Sequence, residues 1–537
     1  MISKKYLLLF ILIFFLNCNS KNTNSFISLK KAYIDWHFSN HLTLDFDYTH
    51  NYFKHYNQKF VNEYIEDLNR FDLELSQINL SNLSNVNKTN YYIIKESIDD
   101  YLYVNNKVIK KTSLRFLEDI KNSIYFLYIR KDLPDFEKII SLENHLDNVL
   151  FYFRNYEDIV SDNYKNIKFI NDHIEGLVFF LQEIPYTLNV DNNSKLNDKI
   201  KELVSVLYKF KYWYNYDIEI KKSSNYNLIK VDFDNFINKY FSSSQYDYNS
   251  IIDRVHSNIT SIQNLIFNES LNLYLLENDE PVWVDREDTV NVIKWVLNKK
   301  INVDSYNQNN LLPKISEEYN FINNTLDDIG LVNYYNYPLQ FTDTLKYYSS
   351  SDMVKIFNDI VYININNLNI YFNKYTFNDL LFDNVIADFN VYKSFYNCDD
   401  PLRRIENIPY NKGFTLLLKH IMFLNHFNND SLYKINFYLN LLRENSLVFN
   451  QNMFMKKNIS KNKIITNFEE QNFISNEEAS RLYNSINSDE YHIQHFIIYL
   501  HLLQLYEEKC ILSNVMKPAK FIDLLLSQGY VPYYLNN

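Results

Sequence analysis

With 537 residues, 46% of them hydrophobic and 22% charged, the chain has a globular composition, enough for two to four domains or one large helical body. A net charge of -11 argues against a general nucleic-acid binder, since phosphate contacts need clustered Lys and Arg. Only four glycines occur, Gly176, Gly330, Gly413 and Gly529, so the glycine-rich turns that cradle phosphates in nucleotide sites are excluded as motifs.

In chain order, Lys4 and Lys5 precede an unbroken apolar run from Tyr6 to Leu16, of signal-peptide length and too short to span a bilayer comfortably. The run closes on Phe15-Leu16-Asn17-Cys18 and passes into polar residues. It resembles a bacterial lipoprotein signal, in which Cys18 is lipidated and becomes the mature N-terminus, although Asn17 departs from the usual small residue. The expectation is a signal peptide over residues 1–17 and a body lipid-anchored to a bacterial membrane, in the cell envelope and facing outside the cytoplasm. Cys398 and Cys510 lie far apart in sequence, and no disulfide is assigned to them.

From about Phe26 the apolar spacing predicts helices. Val61, Tyr64, Ile65, Leu68, Phe71 and Leu75 recur every three or four residues between charged positions, and Leu142, Leu146, Val149, Leu150 and Phe153 repeat the pattern. Pro134 and Pro185 are expected as helix breaks, and the polar stretch from Asn189 to Asn197 as a connector. Tyr248 to Ile266 carries Ile251, Ile252, Val255, Ile259, Ile262 and Ile266 on one broad stripe, which predicts a core-facing helix. After Pro281, Trp283-Val284 and later Val361 to Ile365 read as short strands. The expected architecture is thus mostly α with a small β component in the second half, divided into an N-terminal helical region over 18–235 and a second region over 236–537.

The histidines give little chemistry by spacing alone. His37 and His41 stand at i,i+4 without an evident third ligand, and packing or exposure is the expected role. His492 and His495 share a helix face, whereas His501 falls about half a turn away, which leaves fewer ligands than zinc needs. No G-x-S-x-G turn occurs, and the acidic pairs Asp327-Asp328 and Asp399-Asp400 are expected to be solvated loop charges.

Three stretches carry a family resemblance: LTLDFDYTHNYFKHYNQKFVNEYIEDLNRFDLELSQINLSNLSNVNKTNYYIIKESIDDYL near the start, VYININNLNIYFNKYTFNDLLFDN in the middle, and KFIDLLLSQGYVPYYLNN at the end. Together they resemble domain of unknown function family 885, exported bacterial proteins that are often lipoproteins and are related to zinc metallopeptidases. The resemblance spans roughly Phe38 to the C-terminus. It implies a multi-helical, zincin-like body whose zinc would be held by an H-E-x-x-P-G-H-H helix. The matching letters here are Asp383-Asn384-Val385-Ile386-Ala387-Asp388-Phe389-Asn390. An amide cannot serve as a general base and a phenyl ring cannot ligate zinc.

The family's V-E-G-W-A-L-Y-A-E run matches Asn411 to Lys419, which keeps Gly413 but places Lys412 and Lys419 where glutamates stand. Its D-T-G-x-H stretch matches Asn450-Gln451-Asn452-Met453-Phe454, and its P-G-Q…Y-K stretch matches Asp489-Glu490-Tyr491 followed by His495-Phe496. The resemblance therefore implies an inherited pocket formed by Asp383, Asn384, Asp388, Asn390, Lys412 and His495, without catalytic residues, metal or cofactor. Lys412 is expected to neutralise Asp383 or Asp388. The function implied is non-catalytic binding or an envelope structural role, with a peptide or another envelope protein as partner and no nucleic acid. The alternative is an active metal-dependent peptidase that uses Asp383 and Asp388 with a histidine such as His420 or His495.

Overall fold

The computed structural model describes residues 25–40, 58–105, 113–128, 133–154, 167–191, 194–216, 246–281, 286–301, 311–328, 339–342, 354–357, 360–364, 400–427 without 406, 429–486 without 458, and 492–531, with a few isolated positions between them. Cys18, His41, Cys398, Asp399 and the whole Asp383 to Asn390 motif lie outside the described residues.

The described chain is mostly helical, and its buried side chains form two separate cores. The smaller core belongs to four consecutive helices, α4 (Ser113–Tyr128), α5 (Asp135–Phe153), α6 (Ile167–Thr187) and α7 (Lys195–Tyr216). Their main contacts run α4–α5, α5–α7, α7–α6 and α6–α4, a closed ring of four helices. Aromatic rings fill it: Phe116 stacks on Tyr152 at 5.0 Å and on Phe210 at 5.6 Å, with Phe153 edge-on to Phe116 at 5.1 Å. Leu142, Leu146, Val149, Leu150 and Phe153 all face this core, as their spacing predicts.

Pro134 caps the start of α5, a break as expected. Pro185 instead lies inside α6, in the last turn before the helix ends at Thr187. Its ring removes one hydrogen bond, but so near the end the helix is closed by other means. Its own carbonyl accepts the Val190 N–H at 2.8 Å, and Asn189 turns the chain at φ 51°.

The larger core takes residues from both sides of that bundle. It unites α1 (residues 25–40), α2 (Gln58–Ser76) and α3 (Asn85–Asn105) with described residues from Phe233 onward, above all the helices after residue 400. Tyr64, Leu68, Phe71 and Leu75 are buried on α2, and α8 (Tyr248–Tyr274) buries Ile251, Val255, Ile259, Ile262 and Ile266 as the stripe predicts. Asp247 starts α8 by accepting the Ser250 N–H at 2.8 Å. His37 sits 4% exposed among the rings of Tyr33, Phe38 and Tyr101.

Between α8 and the C-terminal helices come α9 (Arg286–Val296) and α10 (Leu311–Asp328). Three short strands follow, β1 (Leu339–Thr342), β2 (Val354–Phe357) and β3 (Ile360–Asn364), in the order β1-β3-β2. β3 pairs parallel with β1 and antiparallel with β2. Trp283 lies in irregular chain.

The last helices build the centre: α11 (Ile408–Met422), α12 (Ser431–Met455), α13 (Lys461–Asn472), α14 (Asn476–Ile486), α15 (His492–Tyr506) and α16 (Pro518–Gln528). Helix α15 is buried on every face, from His492 and Ile493 to Leu505 and Tyr506, which makes it the central helix of the body. It packs against α11 and α12, and α12 lies along α8.

The C-terminus closes onto the N-terminal helices. The Tyr530 N–H donates to the Arg403 carbonyl at 3.1 Å, and Arg403 Nε donates to Asn90 Oδ1 at 3.1 Å. Asp400 is not a solvated loop charge. Its carboxylate takes Lys30 Nζ at 2.5 Å and Asn90 Nδ2 at 3.1 Å, and caps the 401–404 turn through the Leu402 N–H at 3.1 Å. A charge placed between α1 and α3 finds both a cation and donors there, so its burial is compensated.

Candidate functional site

The crossing of α11 and α15 decides where the candidate residues fall. Asn407 caps α11 by accepting the Tyr410 N–H at 2.8 Å, with Pro409 in the first turn, so the register of Lys412, Gly413, Lys419 and His420 is set from that end. A Cβ added to Gly413 would stand 2.7 Å from the His495 carbonyl oxygen and 2.8 Å from Ile498 Cγ2. Only a residue without a side chain lets the two helices approach this closely. Lys412, the neighbour of Gly413, is exposed on α11. The structure thus brings the Lys412–Gly413 segment to the backbone of His495.

His495 itself is 4% exposed, and its Nε2 lies 2.9 Å from Glu444 Oε2 on α12. Burial alone would raise the Glu444 carboxyl. The hydrogen bond from His495 and the charges of His495, His492 and Lys419 overcome it and hold Glu444 down at about 2. The His492 ring stands edge-on to His495 with centroids 5.6 Å apart. His492 is fixed by Gln451, whose Oε1 accepts its N–H at 3.0 Å, and its Nε2 lies 3.4 Å from the Ser485 carbonyl. The shared face of His492 and His495 follows from their three-residue spacing. His501 is directed elsewhere, 3.4 Å from the Tyr246 hydroxyl.

One turn along α15, the Tyr499 hydroxyl and His420 Nδ1 share a hydrogen bond of 2.7 Å. Burial lowers His420 to about 4 and, with the charge of Glu507, pushes the Tyr499 phenol up. At neutral pH this pair is therefore an uncharged imidazole beside an un-ionised phenol.

Helix α12 adds a row of buried amides. Asn450 Nδ2 donates to Gln471 Oε1 at 2.7 Å while Asn450 Oδ1 accepts from Asn467 at 3.2 Å, and Asn452 Oδ1 accepts the Tyr248 hydroxyl at 2.6 Å. Phe454 is 2% exposed and packs edge-on to Tyr483 at 5.4 Å. The stretch from Asn450 to Phe454 thus joins α8, α13, α14 and α12 as packing and amide contacts.

Chemically, a glutamate held near 2 is a weak base at neutral pH, and a histidine at about 4 there carries no proton to donate as an acid. His495 Nε2 is engaged by a carboxylate, and no group of three or more His, Cys, Asp or Glu among the described residues is placed to hold a metal ion. Asp383, Asn384, Asp388 and Asn390 lie outside the described residues. Elsewhere, a groove of ≈ 340 Å³ opens between α1 and α2, lined by Asp35, Trp36, Glu63, Tyr64 and Asp67 among others, and shares no lining residue with α11, α12 or α15.

The fold has solved relatives. One is described as a lipoprotein of unknown function from Shewanella oneidensis, with a TM-score of 0.63 and 12% identity over 96% of this chain and 98% of that one. Another, described as a lipoprotein from Colwellia psychrerythraea, has a TM-score of 0.63 and 12% identity over 90% of each chain. No protein-family model matches the sequence, and no curated protein matches it. At this identity the likeness concerns the fold, and it extends over nearly the whole chain. Among the described residues no helix is long and apolar enough to cross a membrane.

Sequence reasoning missed Glu444 and Tyr499. The signal for Glu444 was available: it is the one carboxylate in the stretch from Ser431 to Met455, where it adjoins the amide-rich run Asn445 to Asn452.

Proposed function

We propose that this chain is an exported envelope protein held at a bacterial membrane by lipid on Cys18, and that its centre binds or supports rather than catalyses. The observation that carries this reading is the 2.9 Å contact between His495 and Glu444. The histidine that an unconventional metal site would recruit is already bound to a carboxylate, and His420 is tied to Tyr499 at 2.7 Å. Likeness over most of the chain to two solved proteins that are described as lipoproteins supports the anchor.

In this reading the body is a zincin-like frame related to domain of unknown function family 885, with a small β component in its second half and a decayed zinc pocket. Lys412 neutralises Asp383 or Asp388 and replaces the charge of the metal. The pocket holds a peptide or another envelope component. Two measurements on the purified, lipidated chain test this. Metal analysis is expected to give zinc far below one per chain, and unfolded peptides to remain uncut. Stoichiometric zinc together with hydrolysis that a chelator abolishes would establish the peptidase alternative. Labelled acyl chains are expected to attach to the wild type and not to Cys18→Ser, and equal labelling of both overturns the anchor.

A further inference from the structure

Among the described residues the exposed tyrosines are Tyr186, Tyr208, Tyr212 and Tyr216, and all four stand on the four-helix bundle. The other tyrosines with a described side chain are buried or half-buried. Three of the four form one row along α7. Lys201, Ser205, Tyr208, Tyr212 and Tyr216 follow at three- and four-residue steps, which brings them to one helix face, and all five are exposed. Tyr208 is 45% exposed, Tyr212 64% and Tyr216 66%. The rings of Tyr212 and Tyr216 stand 4.8 Å apart with their planes at 40°, and the three rings extend over about 12 Å of helix axis. The Tyr208 hydroxyl lies 3.5 Å from Glu175 Oε2. The hydroxyls of Tyr212 and Tyr216 and the ammonium of Lys209 have no partner among the described residues. Rings that a helix keeps in water forgo burial and mark a contact surface.

We propose that this row binds a linear glycan of β-linked pyranoses. A pyranose offers C–H faces to an aromatic ring and hydroxyls around its edge, which suits phenol rings whose own hydroxyls are unengaged. An extended β-linked chain follows a straight row of rings, whereas an α-linked chain curves away from it. The row shares no residue with α11, α12 or α15, so glycan binding there does not depend on what the central pocket holds.

The face lacks what other occupants need. No aliphatic side chain of α7 is exposed, so a bilayer or an apolar protein surface would find little to bury. Charge points the same way. Glu175 pairs with Lys211 at 2.6 Å, Glu202 with Arg154 at 2.6 Å and Asp198 with Lys201 at 3.6 Å. Among the described residues this leaves Lys209 as the one unpaired charge between 201 and 216. A single free ammonium suits a neutral or sparsely acidic sugar chain. It is too little for a nucleic acid, whose affinity is built from many phosphate contacts.

The test is isothermal titration of the full chain with cellohexaose, with the N-acetylglucosamine hexamer and with maltohexaose. A β-linked hexamer is expected to bind, and Tyr212→Ala combined with Tyr216→Ala to weaken it about ten-fold or more. Both side chains are exposed, so that variant should melt as the wild type does. Tyr212→Phe combined with Tyr216→Phe keeps the rings and should lose less, and Tyr186→Ala on α6 should bind as the wild type does. The proposal fails if neither β-linked hexamer binds, or if the double alanine variant binds as tightly as the wild type. Maltohexaose bound as tightly as the β-linked hexamers overturns the extended ligand. Oligothymidylate or phosphatidylglycerol vesicles that bind through Tyr212 and Tyr216 in place of the hexamers assign the row to a nucleic acid or a bilayer instead.

Discussion

Two glutamates in this molecule sit in similar surroundings, and only one of them carries a charge at neutral pH. Glu444 lies at the α11–α15 crossing beside His495, and Glu96 lies at the C-terminal closure beside Tyr530, whose hydroxyl donates to it. Each lies near a glycine that permits a close approach, Gly413 against His495 and Gly529 against Arg403. Yet Glu444 is held down at about 2 and Glu96 is pushed up to about 8. Burial acts on both in the same direction. The neighbours decide: imidazole and ammonium groups around Glu444, the carboxylates of Asp100 and Asp99 around Glu96. The centre therefore keeps an ionised carboxylate, and the closure keeps a protonated acid at neutral pH.

The strongest way to break this contrast is to remove the imidazole. His495→Ala leaves the Glu444 charge buried beside a void and should cost roughly 3–5 kcal/mol at neutral pH, read from urea unfolding. The pH dependence should change as well. A carboxyl with a depressed folded value contributes stability above its unfolded value near 4.5, and that contribution is lost as pH falls from 4.5 toward 2. The wild type should lose stability over that window. In His495→Ala only the charges of His492 and Lys419 oppose the burial of Glu444, so the deficit against wild type should shrink as acid protonates it. A deficit that stays constant from about pH 5 down to about pH 2 would mean that the pair carries no charge coupling.

The glycines sharpen the comparison with a smaller effect. At Gly529, φ is +63° and an added Cβ would stand 2.8 Å from the Arg403 carbonyl oxygen, so Gly529→Ala meets both backbone strain and a clash. A loss of about 1–3 kcal/mol is expected. At Gly413 the backbone is helical and alanine gains about 1 kcal/mol of helix propensity, which offsets part of the collision with His495. Gly413→Ala should therefore cost less than Gly529→Ala in the same unfolding measurement. The reverse order would show that the α11–α15 crossing yields less easily than the C-terminal closure.

Much of this frame was legible in the sequence, because helical spacing is a local property. The stripe from Ile251 to Ile266 and the group from Leu142 to Phe153 face their cores as read. Pro185 misled because a proline in the last turn of a helix costs little. Asp400 misled because its partners, Lys30 and Asn90, are more than three hundred residues away. The same distance hid the pairing of Glu96 with Tyr530 and the single core that unites α1 to α3 with the C-terminal helices. Of the candidate site, Gly413 and His495 were singled out, but not the close contact between their helices. Glu444 was not, although it is the one carboxylate between Ser431 and Met455, because its partner His495 comes 51 residues later on another helix.

The smallest effect tests the other half of the contrast. A carboxyl raised to about 8 contributes stability that is full below its unfolded value near 4.5 and is lost as pH rises from there toward 8. Glu96→Gln keeps the shape and the acceptor for Tyr530 but cannot ionise, so its stability should be flat across that window where the wild type declines. Tyr530→Phe removes a hydrogen bond that lowers Glu96, at a cost of about 0.5–1.5 kcal/mol near neutral pH. It should also carry the wild-type decline to higher pH, because the acid then holds its proton longer. If Tyr530→Phe instead moves the decline downward, Tyr530 stabilises the protonated acid rather than the carboxylate. The closure would then be a neutral hydrogen-bonded pair, and its difference from the ionised carboxylate of Glu444 would lie in the proton shared with Tyr530 and not in the repulsion from Asp99 and Asp100.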